Sequence, residues 1–368
     1  MIQNIYMPAR VIYGKGALTK NHSLLKELGS RCLVVTGAGS AKLSGALDDS
    51  LSALSAANIE YKIYNGITAN PLLSSCHEAG RIASDFNADF IFAIGGGSVL
   101  DSAKAIAIYA ANPDLEPLDI YKRVYKNAPL RSALVGTTAG TGSEVTGVSV
   151  LTDDSTGRKK SISGADCYSA ISFCDPSYTY SMPYGTTVST ALDAFAHAAE
   201  GFFTAKCTGT VKLWAKQCIP ALFNALCCFY ETHALPDEKM RDEIYLGSIY
   251  AGLVINTCGT AFPHPLGYVL TENYGIPHGA ACAAFFPDFL DRAFKYAPDL
   301  ADEFCTLCGE DAETVKQVVF SLADIKIKIS PEEAKAFSER WSNAVPKNFT
   351  ASPGGLTQEE AAGILAKL

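Results

Sequence analysis

Phe90-Ile91-Phe92-Ala93-Ile94-Gly95-Gly96-Gly97-Ser98 decides how this chain folds. An unbroken apolar run of this length, bounded by turn residues, reads as a strand buried on both faces. Three glycines and a serine cut it off, and a helical pattern follows from about Val99 to Ala111. A buried strand, a sharp turn and a helix make one unit of a parallel sheet. The same unit recurs outward. On the N-terminal side, Val11-Ile12-Tyr13 reads as a short strand and 18–28 as an amphipathic helix. A strand over 31–36, a helix over 43–57, a strand over 59–63 and a helix from Pro71 to about Asp85 follow. On the C-terminal side, 130–136 leads into a loop, a hairpin turns at 153–157, and a last strand over 170–174 stops at Asp175-Pro176. The alternation predicts a Rossmann-like parallel sheet with helices on both faces.

After about residue 180 the strand runs disappear. Helical patterns cover 185–205, 210–231, 238–257, 279–295, 298–308, 311–324, 331–343 and 357–368. The expected organisation is therefore α/β plus all-α. A nucleotide-binding domain spans 1–180 and an all-helical domain 181–368, with the boundary near 178–184.

Length and composition agree with two soluble globular domains. The chain has 368 residues, 48% hydrophobic and 18% charged, enough for two sizeable cores. A net charge of −8 without a basic run argues against a nucleic-acid partner. The N-terminus lacks the apolar core of a signal peptide, and the stretch 218–230 is too short to span a bilayer. Twelve cysteines without regular spacing fit a reducing, cytoplasmic compartment. Cys305 and Cys308 form a lone C-x-x-C and read as two ordinary thiols on a helix.

Three glycine-rich turns follow strands. At Gly95-Gly96-Gly97-Ser98 a ligand can approach the backbone, and the helix N-terminus offers free N–H groups and a positive dipole end. A pyrophosphate suits that place, although the order is not G-x-G-x-x-G. Thr137-Thr138-Ala139-Gly140-Thr141-Gly142-Ser143-Glu144 is dense in hydroxyls that can wrap sugar and phosphate oxygens. Both turns lie at carboxyl ends of strands, where nucleotides bind in open sheets. The third is Gly37-Ala38-Gly39-Ser40-Ala41-Lys42. No carboxylate stands there for a ribose 2′-hydroxyl, whereas Ser40 and Lys42 suit a 2′-phosphate, which favours NADP(H) over NAD(H).

In the second half, Thr190-Ala-Leu-Asp-Ala-Phe-Ala-His-Ala-Ala-Glu200 reads as an uninterrupted helix. Asp193 and His197 lie one turn apart on one face. Such a pair can bind a metal or simply hydrogen-bond each other. Of the remaining histidines, His22 and His77 read as surface residues and His233 as a helix-end cap. His264 sits between Pro263 and Pro265, and His278 lies in Pro277-His278-Gly279. Prolines and glycines hold both imidazoles at element ends. With Asp193 and His197 they make a possible set of three imidazoles and one carboxylate, suited to Fe(II) or Zn(II).

Together these motifs resemble the iron-containing (group III) alcohol dehydrogenases, whose butanol-dehydrogenase-like members share the spacing from His264 to His278. The resemblance rests on 95–104, 137–144, Asp193-x-x-x-His197 and His264…Pro277-His278-Gly279, in register over nearly the whole chain. It implies the dehydroquinate synthase-like fold of that family, with a metal in the cleft between two domains, use of NAD(P), and a tendency to form homodimers. It implies that Gly96, Gly97, Ser98 and Asp101 contact the pyrophosphate region and that Thr137, Thr138 and Thr141 line the nicotinamide side. Asn70 and Lys160 are further implied cofactor contacts, beside Gly37, Ser40 and Lys42 of the third turn. Asp193, His197, His264 and His278 are the implied metal ligands.

Two positions depart from the family pattern. Tyr268 stands where many members carry a histidine proposed to assist proton transfer; its phenol is a substitute relay. The tail 351–355 lacks an arginine many members have. The expected activity is a metal-dependent, NADP(H)-preferring alcohol dehydrogenase or aldehyde reductase acting on a small molecule. A metal there acts as a Lewis acid on the alcohol or carbonyl oxygen. Leu253, Val254, Phe262 and Tyr268 are candidates to line an apolar pocket or else to pack the core. The alternatives are a glycerol-dehydrogenase-like or maleylacetate-reductase-like oxidoreductase, a dehydroquinate-synthase-like lyase, or a nucleotide-binding protein without a working site.

Overall fold

The computed structural model describes residues 4–368. The chain divides into two compact units that meet in sequence between Met182 and Pro183.

The first unit holds eight strands: β1 (Arg10–Tyr13), β2 (Arg31–Gly37), β3 (Glu60–Ile67), β4 (Phe90–Gly95), β5 (Arg131–Gly136), β6 (Val148–Asp153), β7 (Arg158–Ser163) and β8 (Ile171–Cys174). Its helices are α1 (Ser40–Leu43), α2 (Ala46–Ala56), α3 (Leu73–Asp85) and α4 (Gly97–Ala111). Six strands form a sheet in the order β1-β8-β5-β4-β2-β3, and every pair in it is parallel. β6 and β7 form the separate antiparallel hairpin.

Side chains alternate across the sheet, as a period of two requires. Leu33, Val35, Ile91, Ala93 and Leu134 join the core under α3 and α4. Cys32, Val34, Phe90, Phe92, Ala133 and Val135 join the opposite core, under α2. β4 is buried along its whole length, which is why its sequence is apolar without alternation. The expected helix over 43–57 is broken instead at Gly45, whose φ of 80° is a left-handed conformation. The expected helix over 18–28 is only a short 3₁₀ segment, His22–Glu27.

The second unit is helical: α5 (Tyr184–Phe202), α6 (Gly209–Thr232), α7 (Glu238–Cys258), α8 (Pro263–Tyr274), α9 (His278–Ala283), α10 (Phe286–Tyr296), α11 (Pro298–Cys308), α12 (Ala312–Ala323), α13 (Pro331–Ser338), α14 (Lys347–Ala351) and α15 (Gln358–Leu365). α5 runs through its middle, buried on nearly every side and packed by α6, α7, α9 and α12. Phe195 and Phe202 on α5 and Phe203 at its C-cap meet Phe223, Phe286, Phe289 and Phe304 in an aromatic core. Among the described residues no single helix is long and apolar enough to cross a membrane.

One helix was not expected. α8 begins at Pro263 and carries Pro265 in its first turn. Prolines read as breakers, but the first-turn N–H groups of a helix have no intrahelical acceptor, so proline costs little there. His264 consequently sits in a helical first turn, an element end as its flanking prolines suggest.

Candidate metal centre and nucleotide loops

The second unit brings Asp193, His197, His264 and His278 to one place. Asp193 and His197 come from α5, His264 from the start of α8, and His278 opens α9. The close seating of α9 on α5 depends on Gly279. A Cβ at that position would stand 1.8 Å from the Ser189 carbonyl oxygen and 2.9 Å from the Asp193 nitrogen. Only glycine therefore lets the His278 backbone lie against the turn that carries Asp193.

The geometry is regular. Nε2 of His197, His264 and His278 each lies 3.8 Å from the same oxygen, Oδ1 of Asp193. That separation is too long for a hydrogen bond. Donors about 2.0–2.2 Å from a shared tetrahedral ion stand about 3.3–3.6 Å apart, only slightly closer than found here. The imidazoles of His197 and His264 stack with centroids 4.6 Å apart, and His264 meets His278 edge-on at 5.4 Å. Asp193, His197 and His264 are buried, while the His278 side chain keeps 25% of its exposure. The arrangement is closed on one side and open on the other. Three imidazoles and a carboxylate are a fitting donor set for Fe(II) or Zn(II).

Two neighbours of this cluster escaped the sequence reading. Glu200, fully buried, places Oε1 2.7 Å from Nδ1 of His264 and accepts the Ala261 N–H through Oε2 at 2.6 Å. Burial pushes its carboxyl up, opposed by His264 and the Ala261 N–H. The signal was in the sequence: Asp193, His197 and Glu200 are spaced i, i+4, i+7, one stripe of α5. Cys282 is also buried here, its Sγ 3.7 Å from Nδ1 and 3.8 Å from Nε2 of His278. Its Sγ and one ligand atom each from Asp193, His264 and His278 all lie within 4.8 Å of one another. Tyr268 stacks on His278 with centroids 5.3 Å apart. Phe262 and Val254 are fully buried core residues, Phe262 packing edge-on against Phe289.

In the first unit, Gly95 ends β4 and α4 starts at Gly97. The glycines admit a close neighbour, and that neighbour is the next loop. A Cβ on Gly96 would meet Thr138 Cγ2 at 2.9 Å, and one on Gly97 would meet Thr141 Cγ2 at 2.4 Å. The Thr137 N–H donates to the Gly95 carbonyl at 3.0 Å, and the Thr137 hydroxyl is buried without a partner among the described residues. Both turns thus form one surface at the α4 N-terminus, beside Ser98.

Asp101 is engaged inside this unit. Its Oδ1 accepts from Ser143 Oγ at 2.6 Å and its Oδ2 from the Val150 N–H at 2.9 Å. Beside it the buried Lys104 ammonium donates to Ser143 Oγ at 2.8 Å and to the carbonyls of Thr146 and Val148 at 3.0 and 2.7 Å. These two side chains fasten the 143–150 segment to α4. Lys160 pairs with Asp153 at 2.9 Å and lies 5.4 Å over the Tyr121 ring. Asn70 adopts a left-handed φ of 55°, and its carbonyl accepts from Thr152 Oγ1. Gly37 ends β2. Ser40 opens α1, and Lys42 pairs with Asp48 at 2.6 Å. The other histidines lie outside these sites: His22 contacts the Thr19 carbonyl, His77 packs edge-on against Tyr109, and His233 caps α6.

Comparison with known proteins agrees with this layout. The iron-containing alcohol dehydrogenase model matches residues 8–176, and the C-terminal model of the Fe-containing alcohol dehydrogenase family matches 187–342. Sulfoacetaldehyde reductase of Bilophila wadsworthia is 31% identical, over 87% of this chain and 83% of that protein. An NADPH-dependent butanol dehydrogenase of Clostridium saccharobutylicum is 29% identical, over 77% and 74% respectively. The crystal structure of an iron-containing alcohol dehydrogenase from Thermotoga maritima superposes with a TM-score of 0.91 at 32% identity, covering 100% of both chains. The chain belongs to the iron-containing alcohol dehydrogenase family and is an oxidoreductase of the alcohol and aldehyde dehydrogenase type.

Proposed function

We propose that this protein interconverts a small alcohol and its aldehyde with NADP(H), and that a divalent ion, Fe(II) or alternatively Zn(II), is held by Asp193, His197, His264 and His278. The observation that carries the reading is the set of three equal 3.8 Å separations from Asp193 Oδ1 to three Nε2 atoms. A bound divalent ion supplies Lewis acidity at the substrate oxygen, and the nicotinamide supplies or accepts the hydride.

The chain's own groups do the rest. Asp193 contributes the anionic donor, and the stacked imidazoles of His197 and His264 keep the buried side of the site rigid. Tyr268, against the more open His278, moves the proton to or from the substrate oxygen. In the nucleotide half, the N–H groups around Gly96, Gly97 and Ser98 bind pyrophosphate at the α4 N-terminus. Asp101 contacts the pyrophosphate region and braces the 143–150 segment, Thr137, Thr138 and Thr141 face the nicotinamide side, and Gly37, Asn70 and Lys160 complete the cofactor contacts. Ser40 and Lys42 receive the 2′-phosphate, which competes with Asp48 for the Lys42 ammonium. The twelve cysteines, all free thiols, support a cytoplasmic location. The family resemblance supports a homodimer.

The test is metal analysis of the purified protein with a panel of short aldehydes, run with NADPH and NADH in parallel. Sulfoacetaldehyde belongs in the panel because of the 31% identical relative. Bound iron or zinc with faster NADPH oxidation is the expected result. Absence of both metal and turnover would sink the reading, and a preference for NADH would refute the roles of Ser40 and Lys42.

A further inference from the structure

Glu200 is buried completely, seven residues after Asp193 on the same stripe of α5. A carboxylate in that position needs donors to offset its lost hydration. It has two, from different parts of the unit: the Ala261 N–H at 2.6 Å and Nδ1 of His264 at 2.7 Å. The first fixes the segment that enters α8, so it sets where His264 begins. The second fixes the imidazole itself. An ionised Glu200 only accepts, and with it the ring proton lies on Nδ1 and the lone pair on Nε2. That Nε2 is the atom 3.8 Å from Asp193 Oδ1.

We propose that Glu200 is a positioning residue of the metal centre, holding His264 in the one tautomer and ring orientation that present Nε2 to the ion. The role rests on the metal reading of the same site given above.

Glu200→Gln isolates the effect, since it keeps shape and volume. If its amide oxygen stays on the Ala261 N–H, its NH₂ faces Nδ1 of His264. Nδ1 must then accept, and the proton moves to Nε2, where it blocks a metal. If the amide flips, two N–H donors face each other at Ala261. Either arrangement weakens the site. Loss of an outer partner of this kind typically costs 10–100-fold in metal affinity.

The experiment measures Co(II) affinity against a chromophoric chelator, the visible spectrum of the cobalt protein, and the Tm of metal-free protein. The expected result for Glu200→Gln is about 10–100-fold weaker Co(II) binding and an altered cobalt spectrum, at wild-type circular dichroism. A lowered metal-free Tm with unchanged affinity and spectrum would make Glu200 merely structural and overturn the proposal. Wild-type protein that takes up no cobalt would overturn the metal reading and this role with it. Wild-type uptake matched by the variant would overturn this role alone. Nitrogen NMR of labelled histidine in the metal-free wild type decides the matter if the variant does not fold. His264 protonated on Nδ1 supports the proposal, and His264 protonated only on Nε2 contradicts it.

Discussion

The phenol ring of Tyr268 lies nearly parallel to the imidazole of His278, with centroids 5.3 Å and planes 18° apart. His278 is also the most exposed of the four proposed ligands. The proton role proposed for Tyr268 rests on this stacking. Tyr268→Phe keeps the ring and removes the hydroxyl. It is expected to lower kcat by about 10²-fold, the lower end of general acid–base contributions, with metal content unchanged. Steady-state kinetics and metal analysis on one preparation check this.

Lys42 and Asp48 are both exposed and 2.6 Å apart. A pair of this kind contributes little to stability but reduces the charge Lys42 can offer to a phosphate. Asp48→Asn is expected to increase the preference for NADPH over NADH, and Lys42→Ala to reduce it by about tenfold, the lower end for a hydrogen bond to a charged group. The ratio of kcat/KM for the two cofactors reads both effects.

Lys104 has 1% of its surface exposed and holds Ser143, Thr146 and Val148 at once. Removing one member of a buried charged network leaves the others without partners. Lys104→Met is expected to destabilise the protein by about 3–5 kcal/mol and to loosen the 143–150 segment. Denaturant unfolding gives the first quantity and hydrogen exchange the second.

Hydrogen bonds from Ser155 and Lys160 hold the Asp153 carboxyl well below its ordinary 3.8. A depressed pKa contributes stability above the unfolded value, and the contribution is lost as pH falls through the folded one. The β6–β7 hairpin is therefore expected to lose stability below about pH 4 in the wild type. Asp153→Asn should be less stable than wild type at neutral pH and converge with it in acid. Unfolding curves of both proteins across that range test the sign.

Much of this was legible in the sequence because it depends on local pattern. The apolar run at 90–94 is a strand buried on both faces, and its neighbours alternate between two cores. What stayed hidden depends on contacts distant in sequence. Pro263 and Pro265 marked an element end at His264, but not that a helix, α8, starts there. The glycines at 96 and 97 read as room for a ligand, yet Thr138 and Thr141 already approach them closely. Glu200 has no role in the local pattern, because the partner that gives it one, His264, lies 64 residues away.

The central claim is that Asp193, His197, His264 and His278 hold one divalent ion. Its most direct test is the metal content of wild-type protein beside Asp193→Ala and His197→Ala, with NADPH binding measured on the same samples. The account predicts about one iron or zinc per wild-type chain and loss of that metal in both variants, with nucleotide binding retained in all three. Wild-type protein without metal, or variants that keep it, would contradict the account.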